Sequence, residues 1–155
     1  MKTYTTVDKS QWPVATDEPD KAYYIDPATD YDCLIVRNNG GALCGYVGLP
    51  PSHPAHGFHY NDELLYSIDV HGGLTFANSC QEDTPESQGV CHVPLPGRPS
   101  SVWWLGFDCS HLGDYSPTYD LSYDRGFGDP SDYKDISYVK EHISSLAAQL
   151  HNLTT

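Results

Sequence analysis

Apolar residues in this chain gather into short runs separated by turn-forming residues, which is the spacing of strands. Cys33–Arg37 (CLIVR) is the first such run. Asn38-Asn39-Gly40-Gly41 follows it as a turn, and Ala42–Gly48 (ALCGYVG) returns as a partner strand. Gly45 and Gly48 in that return predict a bulge or a close contact. Glu63–Val70 reads as a strand entering Asp69 and His71, and Leu74–Ala77 as a second short strand leaving the Gly72-Gly73 pair. Val102–Phe107 (VWWLGF) is the most hydrophobic run and is expected near the middle of the sheet. Only the end of the chain has helical periodicity. Ile136, Val139, Ile143, Leu146, Ala147 and Leu150 recur at spacings of three and four, with Asp135 as N-cap, predicting a helix over 136–150. The pattern gives an α+β class: a mainly antiparallel β-sheet with long irregular loops and one C-terminal amphipathic helix packed on the sheet.

The polar stretches complete a single domain over 1–155, a size that sustains a core without metal or disulfide staples. Residues 1–31 are polar and carry Pro13, Pro19 and Pro27, which predicts an extended arm with one short strand near Lys21–Ile25. Leu49–Asp62 is a proline-stiffened loop holding His53, His56 and His59. Residues 78–101, acidic first and then Pro-rich, read as a flexible flap near the strand ends. Residues 108–132 show no periodicity.

Charge narrows the partners. Eight Lys+Arg stand against 21 Asp+Glu, a formal net charge of −13, and such a field repels phosphate backbones and anionic membranes. It favours cations and basic protein surfaces. No run approaches the ~20 apolar residues of a membrane span, and the residues after Met1 are polar, so a cytoplasmic location is expected. The five cysteines include no CxxC pair, so reduced, buried thiols are the default; Cys80 and Cys91 flank a polar loop and are the pair able to bridge.

Candidate chemistry lies where the strand-like runs end. His53-x2-His56, Asp69-x-His71 and Asp108-x2-His111-x2-Asp114 bring imidazoles and carboxylates to neighbouring ends. Neutral imidazole with carboxylate suits a divalent metal, Zn first, and acidified metal-bound water suits hydrolysis. On that reading His53, His71, Asp108 and His111 are the metal ligands, Asp69 is the general base or orients His71, and Asp114 stands in reserve. The same residues also fit a metal-free pocket doing acid–base work, or hydrogen-bonded structural positions at strand ends. Cys109 and Cys44 are expected to be buried and inert.

The segments CGYVGLPPSHPAHG, VHGGLTFA and WWLGFDCSHLGD, with the YVKEHISSLAAQL helix, resemble a small uncharacterised protein family associated with bacteriophages and bacterial mobile DNA. The likeness covers roughly Leu43–Asp114 and the final helix, and carries no activity with it. It implies an intracellular protein acting during infection or against host defence. Two functional expectations follow: a metal-dependent hydrolase acting on a small-molecule substrate, or an accessory protein that binds a host protein or small signalling molecule without catalysis.

Overall fold

The computed structural model describes residues 1–14, 17–111, 113–118 and 129–154. Six antiparallel strands form one sheet in the order β1-β2-β3-β4-β6-β5: β1 Lys2–Tyr4, β2 Lys21–Ile25, β3 Asp32–Arg37, β4 Leu43–Leu49, β5 Phe76–Asn78 and β6 Trp103–Asp108. A helix, α1 (Ile136–Asn152), packs on it, and the class is α+β. The β3–β4 hairpin closes as its Asn-Gly sequence dictates. The Asn38 side-chain oxygen accepts from the N–H groups of Gly40 and Ala42, both at 3.0 Å, and its own N–H bonds the Ala42 carbonyl at 2.8 Å.

One expectation for the chain before β5 is corrected. Glu63–Val70 is not a strand: Glu63–Leu65 forms one 3₁₀ turn capped by the Asp62 side chain, and irregular backbone follows. Asp62 supplies the local side-chain-to-backbone bond that competes with a sheet ladder. The returning strand is β5, Phe76–Asn78, at the sheet edge.

Both faces of the sheet are covered, which is why β3 and β4 read as continuous apolar runs even though they are antiparallel. On one face Ile35, Val47, Leu105 and Phe107 meet Val139, Ile143, Leu146, Ala147 and Leu150 of α1. Complete burial of each large aliphatic there is worth about 2 kcal/mol. Gly45 makes the close approach possible: a Cβ at this position would lie 2.8 Å from Ile143 and 2.6 Å from Phe107. Asp135 caps α1 as expected, accepting from Tyr138 N–H at 2.9 Å.

On the other face Leu34, Val36, Tyr46 and Trp104 meet Val90 and Val102 from the long loop. The flap expected near the strand ends is therefore a lid on the opposite side of the sheet. Several contacts fasten it, among them a disulfide within the loop and a buried lysine beneath it. Cys80 and Cys91 form a disulfide with Cα atoms 4.5 Å apart, correcting the expectation of reduced thiols for this pair; Cys33, Cys44 and Cys109 are free and buried. Lys21, 1% exposed, points from β2 into the loop and donates to the carbonyls of Glu86, Gly89 (2.7 Å) and Cys91 (2.8 Å). Burial pushes its pKa down to about 8, against the pull of the Glu86 charge.

The N-terminal arm contributes β1 as well as the expected β2, and is pinned by a buried ion cluster. Asp20 accepts from Lys9 Nζ at 2.8 Å and Arg37 Nε at 2.6 Å, and from the N–H groups of Thr6 and Val7. Burial alone would raise its pKa, but these four bonds outweigh it and hold the carboxyl below its ordinary range. Among the described residues no helix is long and apolar enough to cross a membrane.

Candidate functional site

The VHGG sequence folds as a tight turn. Gly73 N–H bonds the Val70 carbonyl at 2.8 Å, and Gly72 takes a φ of 68°, the positive value that the third position of a type II turn demands. Val70 goes into the core while His71 projects beside α1. Gly72 is needed for a second reason: a Cβ there would lie 2.1 Å from His111 Nε2, so the His111 ring rests directly on its backbone. A second turn follows β6. The Asp108 carboxylate accepts from Ser110 N–H at 3.1 Å, and Asp114 N–H bonds the His111 carbonyl at 2.9 Å.

Asp114 joins the two turns. Its carboxylate is 4% exposed; Oδ2 accepts from His71 Nε2 at 2.8 Å and from His111 N–H at 3.0 Å, and Lys134 Nζ lies 3.4 Å from Oδ1. With Asp114 as the acceptor, His71 carries its proton on Nε2. Its Nδ1 then accepts from the Tyr138 hydroxyl at 2.6 Å. The result is a carboxylate–imidazole–phenol chain running from a loop, through a turn, to the first part of α1.

His142, one helical turn after Tyr138, completes the group. Its Nδ1 accepts His71 N–H at 3.1 Å, and its ring centre lies 4.6 Å from that of Tyr138 and 5.8 Å from that of His71. Burial and then the neighbouring His71 push the His142 pKa down, and burial pushes the Tyr138 hydroxyl up. Beside the group lies a shallow cleft of about 450 Å³ lined by Asp69, His71, Glu141, His142 and Ser145.

The structure brings His71, Asp108, His111 and Asp114 together, with the His71 and His111 ring centres 5.8 Å apart. It does not bring His53. That ring is buried under the far end of α1, where Nδ1 accepts from Ala55 N–H at 2.9 Å and Nε2 donates to the Leu150 carbonyl at 2.7 Å. Leu150 is about 18 Å along the helix from Tyr138, taking a rise of about 1.5 Å per residue. His53 caps a helix C-terminus, and both its nitrogens are committed. His56 is likewise elsewhere, on the Ser101 carbonyl at 2.7 Å. Asp69 sits at the exposed rim of the cleft, held through its backbone by Gln149. The carboxylate that orients His71 is Asp114, not Asp69.

Sequence reasoning passed over Tyr138 and His142 because α1 read only as a cover for the sheet. Their i, i+4 spacing beside the apolar stripe was the available signal. Cys44 and Cys109 are buried, and burial pushes the thiol of Cys44 up to about 12 and that of Cys109 higher still.

As a metal centre the group is incomplete. Among the described residues the three potential ligand atoms that converge within 4.8 Å belong to Cys80, Cys91 and His92, and the two sulfurs there are joined as a disulfide. At the strand-end group the imidazoles and carboxylates come as pairs instead. His111 Nε2 lies 3.2 Å from Asp108 Oδ1 at an angle that makes no hydrogen bond, and the buried nitrogen has no other partner among the described residues. Comparison of the chain with protein-family models, with curated proteins and with solved structures returns no match, so the phage-type resemblance rests on its own motifs.

Proposed function

We propose that the corner formed by His71, Asp114 and Tyr138 is the proton-transfer centre of a small hydrolase. The observation that carries this reading is the Asp114–His71–Tyr138 chain, with links of 2.8 and 2.6 Å, whose central His71 lines an open cleft. A buried carboxylate fixes the imidazole tautomer and stabilises the ring when it takes a proton, and the imidazole in turn polarises the phenol. A water entering from the cleft displaces the Tyr138 hydroxyl from His71 Nδ1, which then takes the water's proton as general base; Tyr138, freed, gives its own proton to the leaving group and recovers one from the His71 imidazolium. Asp69 and Glu141 give the cleft an acidic rim. With a chain charge of −13, this selects neutral or cationic esters and amides over phosphoesters.

Metal-assisted hydrolysis is the second reading, favoured by the buried, unpartnered His111 Nε2 beside Asp108. The 2.8 Å and 3.2 Å nitrogen–oxygen separations resemble those between adjacent ligands of one divalent ion. In that form His71, His111, Asp108 and Asp114 hold the ion, Zn first.

A panel of neutral, cationic and anionic esters and amides, assayed with and without added Zn²⁺, tests both readings. Proton transfer predicts turnover without metal, falling by roughly 10²–10⁴ in His71→Ala and less in Tyr138→Phe. The metal reading predicts near-stoichiometric zinc by elemental mass spectrometry, lost in both His71→Ala and His111→Ala. Absence of turnover on every class, with ligand capture that weakens steeply with salt, would instead make the protein a binding module.

A further inference from the structure

On the opposite face of the sheet, His92 is buried with its side chain 1% exposed; among the described residues its ring nitrogens have only loose partners, the Pro99 carbonyl and the Asp32 carboxylate, neither within good hydrogen-bond geometry. Asp32 Oδ2 comes only within 3.7 Å of Nε2, while Asp32 Oδ1 accepts from the Tyr23 hydroxyl at 2.5 Å and from Arg98 at 3.1 Å. A buried imidazole whose nitrogens are so loosely partnered gains from a ligand that binds it closely. Next to it stand the two sulfurs of Cys80 and Cys91, all three potential ligand atoms lying within 4.8 Å of one another. We propose that Cys80, Cys91 and His92 form a redox-gated zinc site: closed as the Cys80–Cys91 disulfide, and open to one Zn²⁺ when the pair is reduced.

Two thiolates and a neutral imidazole are a soft, tetrahedral donor set, with water in the fourth position. The surroundings are already arranged for sulfur ligands. Trp104, wholly buried, directs its indole N–H at Cys80 Sγ at 3.5 Å, the bond that orients a metal-bound thiolate. Lys21 holds the Cys91 carbonyl at 2.8 Å, fixing that ligand's backbone to β2 in either redox state. The Trp104 ring also stands edge-on to His92, centres 5.3 Å apart, and keeps the imidazole in place.

The chemistry balances with a dithiol as the cellular reductant. Its two sulfurs give up two electrons and two protons and become a disulfide; the Cys80–Cys91 bond breaks, and both sulfurs become thiols. Zn²⁺ then binds with release of those two protons. The site lies on the face away from His71 and does not depend on the hydrolase reading.

The test uses the whole protein, oxidised and then reduced with a phosphine, which becomes phosphine oxide and leaves no competing thiol. Co²⁺ serves as the optical probe and Zn²⁺ as its competitor. The reduced protein is expected to bind one Co²⁺ with an intense sulfur-to-cobalt charge-transfer band that one equivalent of Zn²⁺ abolishes, and the oxidised protein to show none. His92→Ala keeps both sulfurs and the disulfide, so it can be purified oxidised and reduced in the cuvette; it should weaken Co²⁺ binding at least tenfold. Cobalt on the His71 group would give no sulfur band. A reduced protein that retains its circular dichroism yet shows no such band, or a band unchanged in affinity by His92→Ala, would overturn the proposal.

Discussion

On one face of the sheet Ile143 and its helical neighbours cover Val47 and Leu105; on the other, Val90 and Val102 of the long loop before β6, cross-linked in its first half by Cys80–Cys91, cover Leu34, Tyr46 and Trp104. The helical cover is continuous, its backbone bonds are internal, and it needs only an apolar stripe to dock. The loop cover makes scattered turn bonds of its own, is cross-linked within by Cys80–Cys91, and is tied to the sheet by Lys21 beneath. Each face therefore concentrates its polar chemistry where its cover is fastened. Tyr138 and His142 occupy the first half of α1, and His92 follows directly after Cys91. Stability and function are coupled differently on the two sides, and substitutions separate them.

The largest effect is expected on the helical face. Ile143→Ala empties a fully buried position against Gly45 and Phe107, which cannot collapse without moving the sheet. A loss of about 4 kcal/mol is expected, at the upper part of the range for aliphatic truncations. Urea unfolding should show one cooperative transition shifted as a whole, because the helix and the sheet share that core.

Lys21→Met should cost about 3 kcal/mol by leaving the carbonyls of Glu86, Gly89 and Cys91 without their donor. Its signature should be local. Limited proteolysis is expected to cut within residues 82–88 while far-UV circular dichroism persists. A simple shift of the global transition, with no new cleavage, would show that the two covers unfold as one unit. Cys80→Ser with Cys91→Ser should cost less, about 2 kcal/mol, since the loop it closes spans only 11 residues. The same cleavage pattern is expected.

What the sequence conveyed followed this contrast. The β3–β4 hairpin, β6, the helix and its Asp135 cap were legible because periodicity and turn chemistry are local signals. Glu63–Val70 misled because its apolar residues pack from irregular backbone, and alternation does not distinguish that from a strand. Residues 78–101 offered no period at all. What seats them is a lysine on β2 and a disulfide, both long-range facts. The DVHGG and DCSHLGD turns drew out His71, His111 and Asp108 as candidates, with Asp114 in reserve, and the fold brings these four together. Choosing Asp114 over Asp69 as the partner of His71 required the fold, since 43 residues separate them. His53 shared the composition of a ligand but ended as a helix cap.

The smallest expected effect concerns pH, and it compares histidines on both faces. Burial pushes the pKa values of His53, His92 and His142 below the ordinary imidazole range; His151 and His56 add to this at His53, Arg98 and Lys21 at His92, and His71 at His142. Each therefore binds its proton more readily in the unfolded chain, and stability must rise with pH wherever that difference exists. The three contribute no penalty above the unfolded value of about 6.5, and destabilise progressively as pH falls through it. Asp20, held low, adds its own loss at more acid pH, below about 4. His53→Gln isolates one share of this: its amide N–H takes the place of Nε2 on the Leu150 carbonyl, and it does not titrate. Urea midpoints at pH 7.5 should differ from the parent by less than about 1 kcal/mol, while between pH 7 and 5 the variant should lose less stability than the parent. Parallel pH slopes would assign the acid sensitivity of the fold to His92 and His142 instead. The capping bond would then stand as the whole contribution of His53.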